Sequence, residues 1–325
     1  MNQLTSQILN RLRSSEGFLS GGELCREFGM TRSAVWKHIS QLRKNGYTIE
    51  AVTGRGYRLN GSPGLPVSEE VAPLLTTDSF GRNLVFHEKV DSTNVQAKSL
   101  ARQGAPEGSV VVADCQTGGR GRMGKGWVSP PGTNLYFSVI LRPSVPPVRL
   151  SQIPLLAAAA IHRAVSSMVE GASATIKWPN DILIGGRKVC GILCEMETEP
   201  DMTHFVIAGI GINVNLRDVP EEIEKIATSL FLESGREHSR PVILSAILNR
   251  FEPLYREWLE ADDLRDFLPY LERHAWLKDR EVTVDNYKGS LAGRVLGISR
   301  VGEMLLETQD GQVHRITSGE VHIRK

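Results

Sequence analysis

Cysteines and long apolar segments are scarce in this sequence. Only four cysteines occur in 325 residues, and they are too few and too scattered for a disulfide framework. No apolar run is long enough to span a bilayer, and residues 1–13 lack the apolar core of a signal peptide. With 41% hydrophobic and 23% charged residues, the composition is that of an ordinary globular protein. We therefore predict a cytoplasmic protein of two or three domains that does not interact with a membrane.

Only one pair of cysteines, Cys190 and Cys194, has a spacing that suggests a metal site. In a β-strand, the two sulfur atoms would lie on one face but about 13 Å apart, which is too far for one ion. We therefore predict buried free thiols here and no metal ion held by protein side chains.

The sequence also lacks a large net charge, but its positive charge is unevenly distributed. The net charge is +1, whereas residues 1–62 carry nine Lys or Arg and four Glu, which gives this segment +5 and leaves about −4 for the rest. Apolar residues at positions 4, 8, 9 and 12 have helical spacing. A second helix is expected at 20–28, and Thr31 is a good N-cap for a third helix with apolar positions 35, 39 and 42. This order predicts a helix-turn-helix.

A predicted hairpin follows the third helix, with segments 47–52 and 57–59 joined by the turn 53–56. A basic hairpin at this place is typical of a winged helix-turn-helix, and Arg55 and Arg58 could reach phosphates. The remaining face of the third helix mixes side chains able to contact phosphates and base edges in a major groove. These residues are Arg32, Ser33, Trp36, Lys37, His38 and Gln41. We predict that residues 1–62 bind double-stranded DNA; a small helical cap with a solvated basic face, or a protein-docking module, is the alternative.

The Gly- and Pro-rich segment 61–66 is a linker by composition, so a second domain is expected to begin near Pro66. Its first polar motif is Asp-Ser-Thr-Asn at 91–94, after the strand-like apolar segment 84–86. Short polar side chains at this point could cap a helix over 95–101, which is their usual role, or hydrogen-bond a ligand.

The loop 119–125 combines three glycines with three cations in the sequence Gly-Arg-Gly-Arg-Met-Gly-Lys. Glycines let the backbone approach a ligand closely, and guanidinium groups match phosphate or carboxylate oxygens in pairs. The loop is not a P-loop, because Gly126 follows Lys125 where Ser or Thr must hold magnesium. It is not a Rossmann turn either, since Gly and Pro residues over 126–132 break the helix that should follow. We predict an anion-binding loop; a solvated basic turn is the alternative.

Two further motifs follow. Lys177 lies between apolar strand residues and the segment Trp178-Pro179-Asn180-Asp181, so it is not a random surface charge. Gly209 and Gly211 occupy alternate positions of an apolar strand, and we expect that they leave room for a flat ligand against the sheet.

In combination, these motifs resemble the biotin protein ligase family, and specifically its bifunctional members, which also repress biotin synthesis. The resemblance depends on 91–94, on Gln116 with 119–124, on 177–181 and on 209–213, which occur in the family order. It implies an α/β multidomain protein with a winged helix-turn-helix, a central mixed-sheet domain like that of class II synthetases over 66–272, and an SH3-like β-barrel over 273–325. Short apolar segments between glycine turns at 281–284, 290–298, 304–308 and 313–316 agree with the last of these.

The resemblance also implies a reaction. Biotin and ATP, used with Mg²⁺, would form biotinyl-5′-adenylate and release pyrophosphate, and the biotin would pass to a lysine of a biotin carboxyl carrier domain. The adenylate would also act as the corepressor for binding to a DNA operator. The chain would then be a homodimer whose central sheets pair edge to edge when the adenylate is bound.

By the same resemblance, Arg120, Arg122 and Lys177 are the expected catalytic residues. The residues expected to bind biotin are Ser92, Thr93, Asn94, Gln116, Arg120, Gly121, Arg122, Lys177, Gly191 and Leu193. The residues expected to bind ATP are Arg120, Arg122, Trp127, Lys177, Asn180, Asn213 and Asn215. The loop departs from the best-known relatives at Met123 and Lys125, where those carry further arginines.

Two other functions are compatible with parts of the sequence. One is a transcription factor that senses biotin without ligating it, although sensing alone does not need a cluster of cations for two reacting anions. The other is a lipoate or octanoate ligase on the same catalytic fold, although the Gly-Arg-Gly-Arg loop, the Lys-Trp-Pro-Asn motif and the winged helix favour biotin.

Overall fold

The computed structural model describes residues 1–169, 173–199, 202–219, 221, 223–286 and 289–324. The chain forms two compact units, Met1–Leu65 and Pro66–Lys325.

The smaller unit is a three-helix bundle followed by a hairpin. Its elements are α1 (Gln3–Arg13), α2 (Gly21–Glu27), α3 (Arg32–Lys44), β1 (Thr48–Val52) and β2 (Gly56–Gly61). The side chain of Ser20 accepts a hydrogen bond from the Glu23 backbone N–H while the Glu23 carboxylate accepts one from Ser20, a capping box that starts α2. Thr31 caps α3 as the sequence predicts, because its side chain accepts a hydrogen bond from the Ala34 N–H. The predicted winged helix-turn-helix is confirmed.

The larger unit contains two sheets and six α-helices within the part of the chain that the structure describes. Its helices are α4 (Ser68–Val71), α5 (Thr93–Arg102), α6 (Ile153–Val165), α7 (Leu230–Ser234), α8 (Arg240–Glu260) and α9 (Leu268–Arg273). The strands of its central sheet are β3 (Leu84–Val90), β4 (Val110–Gln116), β5 (Leu135–Leu141), β6 (Ala174–Lys177), β7 (Asp181–Ile184), β8 (Arg187–Thr198) and β9 (Thr203–Ile212). The strand order is β3-β4-β5-β9-β8-β7-β6. Only the β3–β4 pair is parallel in this described sheet, so the sheet is mixed, as predicted.

Helices cover both faces of the central sheet. Alternate residues of its middle strands face opposite sides, so Val111 and Ile140 pack with Ala97 of α5, whereas Val110 and Val139 belong to the larger core on the other face. The alanine-rich helix α6 is buried in that larger core and packs against α8. This three-layer arrangement brings the ends of β4, β6 and β9, the first half of β8 and the start of α5 around one cavity.

The C-terminal part forms a second, antiparallel sheet. Its strands are β10 (Glu281–Asn286), β11 (Gly289–Ile298), β12 (Met304–Glu307), β13 (Val313–Ile316) and β14 (Glu320–Ile323), in the order β13-β12-β11-β10-β14. The first four match the predicted strands. The sequence analysis missed β14, because its polar–apolar alternation covers only four residues, which is too short to indicate a strand without its pairing with β10.

None of the helices in the described ranges combines the length and the apolar character needed to cross a membrane.

Candidate active site

A cavity of about 640 Å³ lies in the larger unit, beside the strands of the central sheet and the start of α5. Its walls contain almost all residues that the sequence analysis assigned to biotin and ATP. These are Ser92, Thr93, Asn94, Gln116, Arg120, Gly121, Arg122, Trp127, Lys177, Asn180, Gly191, Leu193 and Asn213. Asn215 is the exception, because its side-chain amide donates to the His238 carbonyl and accepts from the His238 N–H, and it lines a smaller, neighbouring cavity.

One end of the cavity is formed by buried polar side chains from the start of α5 and the end of β4. This closed end consists of Ser92, Thr93, Asn94 and Gln116, whose first three members are between 4% and 6% exposed. The Gln116 carboxamide accepts from the Thr93 N–H at 2.9 Å and donates to Ser129 Oγ at 2.9 Å. Ser92 occupies the N-cap position of α5, but within the described part of the chain its side chain makes no capping hydrogen bond. The helix-capping role expected of this motif is therefore not the role of Ser92, whose side chain lines the cavity instead.

The two strand glycines make room for protein side chains. A Cβ atom on Gly209 would lie 2.0 Å from Oδ1 of Asn94, and a Cβ atom on Gly211 would lie 2.6 Å from the indole of Trp127. The expectation that these glycines leave room for a flat ligand directly against the sheet is therefore wrong. They let Asn94 and Trp127 pack onto the sheet, and these two side chains form the cavity wall.

The glycine-rich loop folds back on itself beside the cavity. The Gly121 N–H donates to the Lys125 carbonyl at 2.7 Å, and Met123 adopts a left-handed conformation with φ of 55°. Gly119 is required for close approach, since a Cβ atom there would lie 2.4 Å from the Trp127 carbonyl oxygen. The loop is joined to the C-terminal sheet by an ion pair between Lys125 and Glu320.

Five cationic side chains line the cavity, one of which is Lys125, already paired with Glu320. Arg122 donates to Asn180 Oδ1 at 3.0 Å, and burial lowers the pKa of its guanidinium group. Burial also lowers the pKa of Lys177, at the end of β6, while the carboxylate of Asp181 acts in the opposite direction. Arg120 is the third expected cation. These groups give the cavity a positive lining that suits a ligand with several negative charges.

A further cation of the cavity, Lys188, was missed by the sequence analysis. Its Nζ lies 2.7 Å from Asp181 Oδ1 and 5.3 Å from the centre of the Trp127 ring. The sequence does contain a pattern that indicates the position of Lys188. Gly185-Gly186 between two apolar segments predicts a hairpin, which places Asp181 and Lys188 on adjacent strands. The register irregularity between Ile182 and Leu183, which no sequence pattern indicates, sets the final pairing.

The opposite end of the cavity is lined by apolar side chains that are exposed or half-buried. This open end consists of Trp127, Val128, Leu216, Ile223 and Ile226. Val128 is 71% exposed and Ile226 is 64% exposed. Asn213 donates to the Thr228 carbonyl at 2.9 Å and so holds the chain after Ile226 against the end of β9. Residues 220 and 222 of the intervening segment lie outside the described residues.

In the smaller unit, most predicted DNA-contacting side chains are exposed. This holds for Arg32, Ser33, Trp36, Lys37, Gln41, Arg55 and Arg58. His38 is half-buried, and its Nδ1 lies 2.8 Å from Thr5 Oγ1 of α1. The guanidinium groups of Arg55 and Arg58 stack on the ring of Phe18, 4.3 and 4.9 Å from its centre, and Arg58 also pairs with Glu50 at 2.7 Å.

The cysteines and histidines outside the cavity have structural surroundings. Cys190 and Cys194 are free thiols, and burial raises the pKa of Cys194 to about 12. His162 Nδ1 lies 2.7 Å from the Tyr270 hydroxyl and its Nε2 lies 2.9 Å from the Ala174 carbonyl oxygen, so both ring nitrogens have partners. Among the described residues, no group of three or more His, Cys, Asp or Glu side chains is placed to hold a metal ion.

Comparison with known proteins agrees with this geometry. Residues 86–213 match the model of the biotin/lipoate A/B protein ligase family, and residues 5–58 match a helix-turn-helix domain. The bifunctional ligase/repressor BirA of Bacillus subtilis is 41% identical over 311 residues, which is 94% of each chain. BirA of Escherichia coli is 30% identical and covers 99% of this chain and 98% of its own.

Solved structures give the same result for the fold. The biotin protein ligase from Aquifex aeolicus in complex with biotin and ATP has a TM-score of 0.64 at 33% identity, covering 75% of this chain and 99% of its own. The chain belongs to the biotin protein ligase family, among the members that join a ligase to a helix-turn-helix repressor domain.

Proposed function

We propose that this protein activates biotin with ATP, transfers it to a lysine of a biotin carboxyl carrier domain, and uses the activated intermediate as a corepressor. The observation that carries the first part is one cavity that combines a polar closed end, an apolar open end and a cluster of cations, namely Arg120, Arg122, Lys177 and Lys188 together with Lys125, which is paired with Glu320. A ligand with a hydrogen-bonding head, a central cluster of negative charge and a flat aromatic base fits this order. Biotinyl-5′-adenylate has that composition.

The first half-reaction requires neutralisation of charge. The carboxylate of biotin attacks the α-phosphorus of ATP, a P–O bond forms, and pyrophosphate leaves with its electron pair. Both reactants are anionic and repel each other, so catalysis is mainly positioning and electrostatic stabilisation. We assign this role to Arg120, Arg122 and Lys177, with Lys188 beside them. Magnesium arrives with ATP as part of that substrate and supplies further positive charge on the phosphates.

Desolvation makes the cavity cations effective. A buried cation without a full set of partners has a lowered pKa, and an incoming anion removes that penalty. Lys177 and Arg122 are in this situation. Lys188 differs, because Asp181 already neutralises part of its charge. Burial also strengthens the attraction between these cations and the negative charge that develops during the reaction, since water is excluded.

We assign the two ends of the cavity to the two substrates. At the closed end, Ser92, Thr93 and Gln116 bind the biotin head group, with the backbone of Gly191 and Leu193 along the slot and Asn94 shaping its wall. At the open end, the nucleotide base packs against Trp127, with Asn180 and Asn213 near it. Ligand binding there would bury apolar side chains that are exposed in the free protein, which is favourable. We retain residues 66–272 as the catalytic domain and 273–325 as the C-terminal domain.

The second half-reaction needs no protein nucleophile. The amine of the acceptor lysine attacks the acyl carbon of the mixed anhydride, an amide bond forms, and AMP leaves. The same cations that neutralised the phosphate in the first step stabilise the leaving AMP. A carrier domain that presents an exposed lysine is therefore the protein partner.

We propose that the smaller unit binds a double-stranded DNA operator through α3 and the β1–β2 hairpin. Arg32, Lys37, Arg55 and Arg58 would contact phosphates and Trp36 and Gln41 base edges, with Ser33 and His38 at the margin of this surface. The repressing form would be a homodimer that pairs central sheets at an edge, and β3 and β6 are the outer strands of that sheet in the described chain. A cytoplasmic location follows from these two partners.

The decisive experiment is ATP-dependent transfer of biotin to a purified carrier domain, with lipoate as a competitor and with the Arg122→Ala variant beside the natural chain. The proposal expects transfer of biotin alone, and loss or premature release of the adenylate in the variant. Lys37→Ala, in the smaller unit, is the matched control and is expected to ligate normally. Tight biotin binding without transfer would identify a sensor, and equal use of lipoate would identify a ligase of broader or different specificity; either outcome contradicts the proposal.

A further inference from the structure

A buried chain of hydrogen bonds leads from β8 through the floor of the cavity to Thr93. Asn94 lies across Gly209, whose neighbours on the adjacent strands are Ser138 of β5 and Leu193 of β8. The Asn94 side chain therefore spans three strands at a point where the central strand has no side chain. It contacts Ser138 on one side and the Leu193 carbonyl and the Glu195 carboxylate on the other.

The orientation of the Asn94 amide is fixed by its partners on β8. Asn94 Nδ2 lies 2.7 Å from Glu195 Oε2 and 3.3 Å from the Leu193 carbonyl oxygen. A carbonyl oxygen accepts only, and a carboxylate accepts only, so the NH₂ group must point to β8. The Asn94 carbonyl oxygen then points to β5, where Ser138 Oγ lies 2.7 Å away.

This orientation determines which hydroxyl donates in the next step. Ser138 is fully buried and lies within hydrogen-bond distance of both Asn94 Oδ1 and Thr93 Oγ1, the latter at 2.8 Å. A hydroxyl has one hydrogen, and the Asn94 oxygen cannot donate, so Ser138 donates to Asn94. Thr93 Oγ1 lies 2.8 Å from Ser138 Oγ and donates to Gln116 Oε1 at 3.3 Å, so protein oxygens hold the Thr93 hydrogen and it is not left for the ligand.

We infer that Glu195, Asn94 and Ser138 are positioning residues that set Thr93 as a hydrogen-bond acceptor towards the cavity, and so select a ligand head group that carries an N–H donor. Thr93 lines the cavity, whereas Ser138 and Glu195 act on it from behind. The ureido group of biotin carries N–H donors, whereas the dithiolane ring of lipoate has none. A head group without a donor leaves the Thr93 oxygen desolvated and unpaired, which is costly in a buried site.

This inference rests on the proposed function, because it assumes that the closed end holds the biotin head group. It is tested by a double-mutant cycle between Ser138→Ala and Thr93→Val, with the KM for biotin and the KM for ATP measured in the ligation assay. Ser138→Ala removes the oxygen nearest to the Thr93 hydroxyl and leaves only the longer contact with Gln116 to orient it, so we expect the KM for biotin to rise about tenfold, the size of one lost hydrogen bond. The KM for ATP should stay within about twofold of its natural value, since the relay acts only on the head-group end.

The cycle separates a relay from simple support of the fold. In the Thr93→Val background the acceptor is already absent, so Ser138→Ala should change the KM for biotin less than about twofold. Equal effects of Ser138→Ala in both backgrounds, or a joint rise of both KM values, would overturn the inference. Ser245→Ala, which removes another buried serine hydroxyl on α8, is the matched control for folding.

A second pair of variants tests the far end of the relay. Glu195→Gln keeps an acceptor for Asn94 and should retain the preference for biotin over an analogue methylated at the ureido nitrogens. Glu195→Leu removes that acceptor, and we expect this preference to shrink; an unchanged preference would contradict the relay. Absence of biotin transfer by the natural chain would instead contradict the proposed function, so the two failures are distinguishable.

Discussion

The two ends of the cavity are built in opposite ways. At the closed end, Thr93 and Asn94 are about 5% exposed. Their polar atoms already form hydrogen bonds with Gln116, Glu195 and Ser138 in the free protein. At the open end, Val128 and Ile226 are more than 60% exposed although they are apolar. The closed end is preorganised in the free protein for a small polar head group. The open end completes its apolar contacts only when the ligand binds. The cation cluster lies between them and serves both.

The largest effect on the rate of adenylate formation is expected when the charge of Lys177, between the two ends of the cavity, is removed. Lys177→Met keeps the length and apolar stem of the side chain but removes its charge, and we expect adenylate formation to fall about 100- to 1,000-fold, as for other groups that stabilise developing charge. The rate is measured as pyrophosphate release at saturating biotin and ATP. Lys125→Met removes a more exposed cation of the loop, whose Nζ pairs with Glu320, and should lose much less. Equal losses in the two variants would mean that burial of Lys177 is not what makes it effective.

Substitution of the two strand glycines should impair the two ends of the cavity separately. Gly209→Ala places a methyl group against Asn94, and Gly211→Ala places one against Trp127, in both cases well inside contact distance. We expect Gly209→Ala to raise the KM for biotin and Gly211→Ala to raise the KM for ATP, each about tenfold or more, because neither neighbour can move without losing its packing. Steady-state kinetics with each substrate varied in turn measures the two KM values. If both variants raise the same KM, the assignment of the two ends is wrong.

A change of pH should alter the protonation of Lys177, in the middle of the cavity. Burial lowers the pKa of Lys177 below its ordinary value of 10.5, so the free protein loses this proton sooner as pH rises than an exposed lysine does. Bound anions favour the charged form and raise the pKa again, so binding takes up a proton between the two values and affinity falls with rising pH in that window, by at most about tenfold per unit. Calorimetric titration in buffers of different ionisation enthalpy measures the proton uptake. Lys177→Met should abolish it; persistence in that variant would assign the proton to another group.

The smallest effect is expected at the open end. Ile226→Ser should raise the KM for ATP only a few-fold, the value of part of one apolar side chain, and should leave the melting temperature unchanged because Ile226 is already 64% exposed. Leu232→Ser changes a partly exposed residue of α7 outside the cavity wall and serves as the control. A large drop in melting temperature for Ile226→Ser would show that this end is part of the folded core and not completed by ligand.

The sequence predicts most of what is local in this molecule. The cap at Thr31 and the strands around Lys177 depend on neighbours within a few residues, and those expectations agree with the structure. What could not be predicted depends on contacts between distant segments. Asn94 fills the space over Gly209 only because α5 lies on that strand.

The same limit applies to the missed residues. Glu320 reaches the cavity because β14 pairs with β10, and a single four-residue strand near the end of the sequence carries no sign of that pairing. Lys188 reaches it through an irregular hairpin register. Motifs therefore indicated where the cavity is and what charge it carries, while its exact shape depended on long-range packing.

Hydrogen–deuterium exchange, in the free protein and with biotin and ATP together, tests the contrast between the two ends most directly. The account predicts that amides at 93–94 and 137–139 exchange slowly already in the free protein and change little with ligand, whereas amides at 119–125 and 223–227 exchange fast and become strongly protected. Fast exchange at 93–94 and 137–139 in the free protein, or equal ligand protection at both ends, would contradict the account.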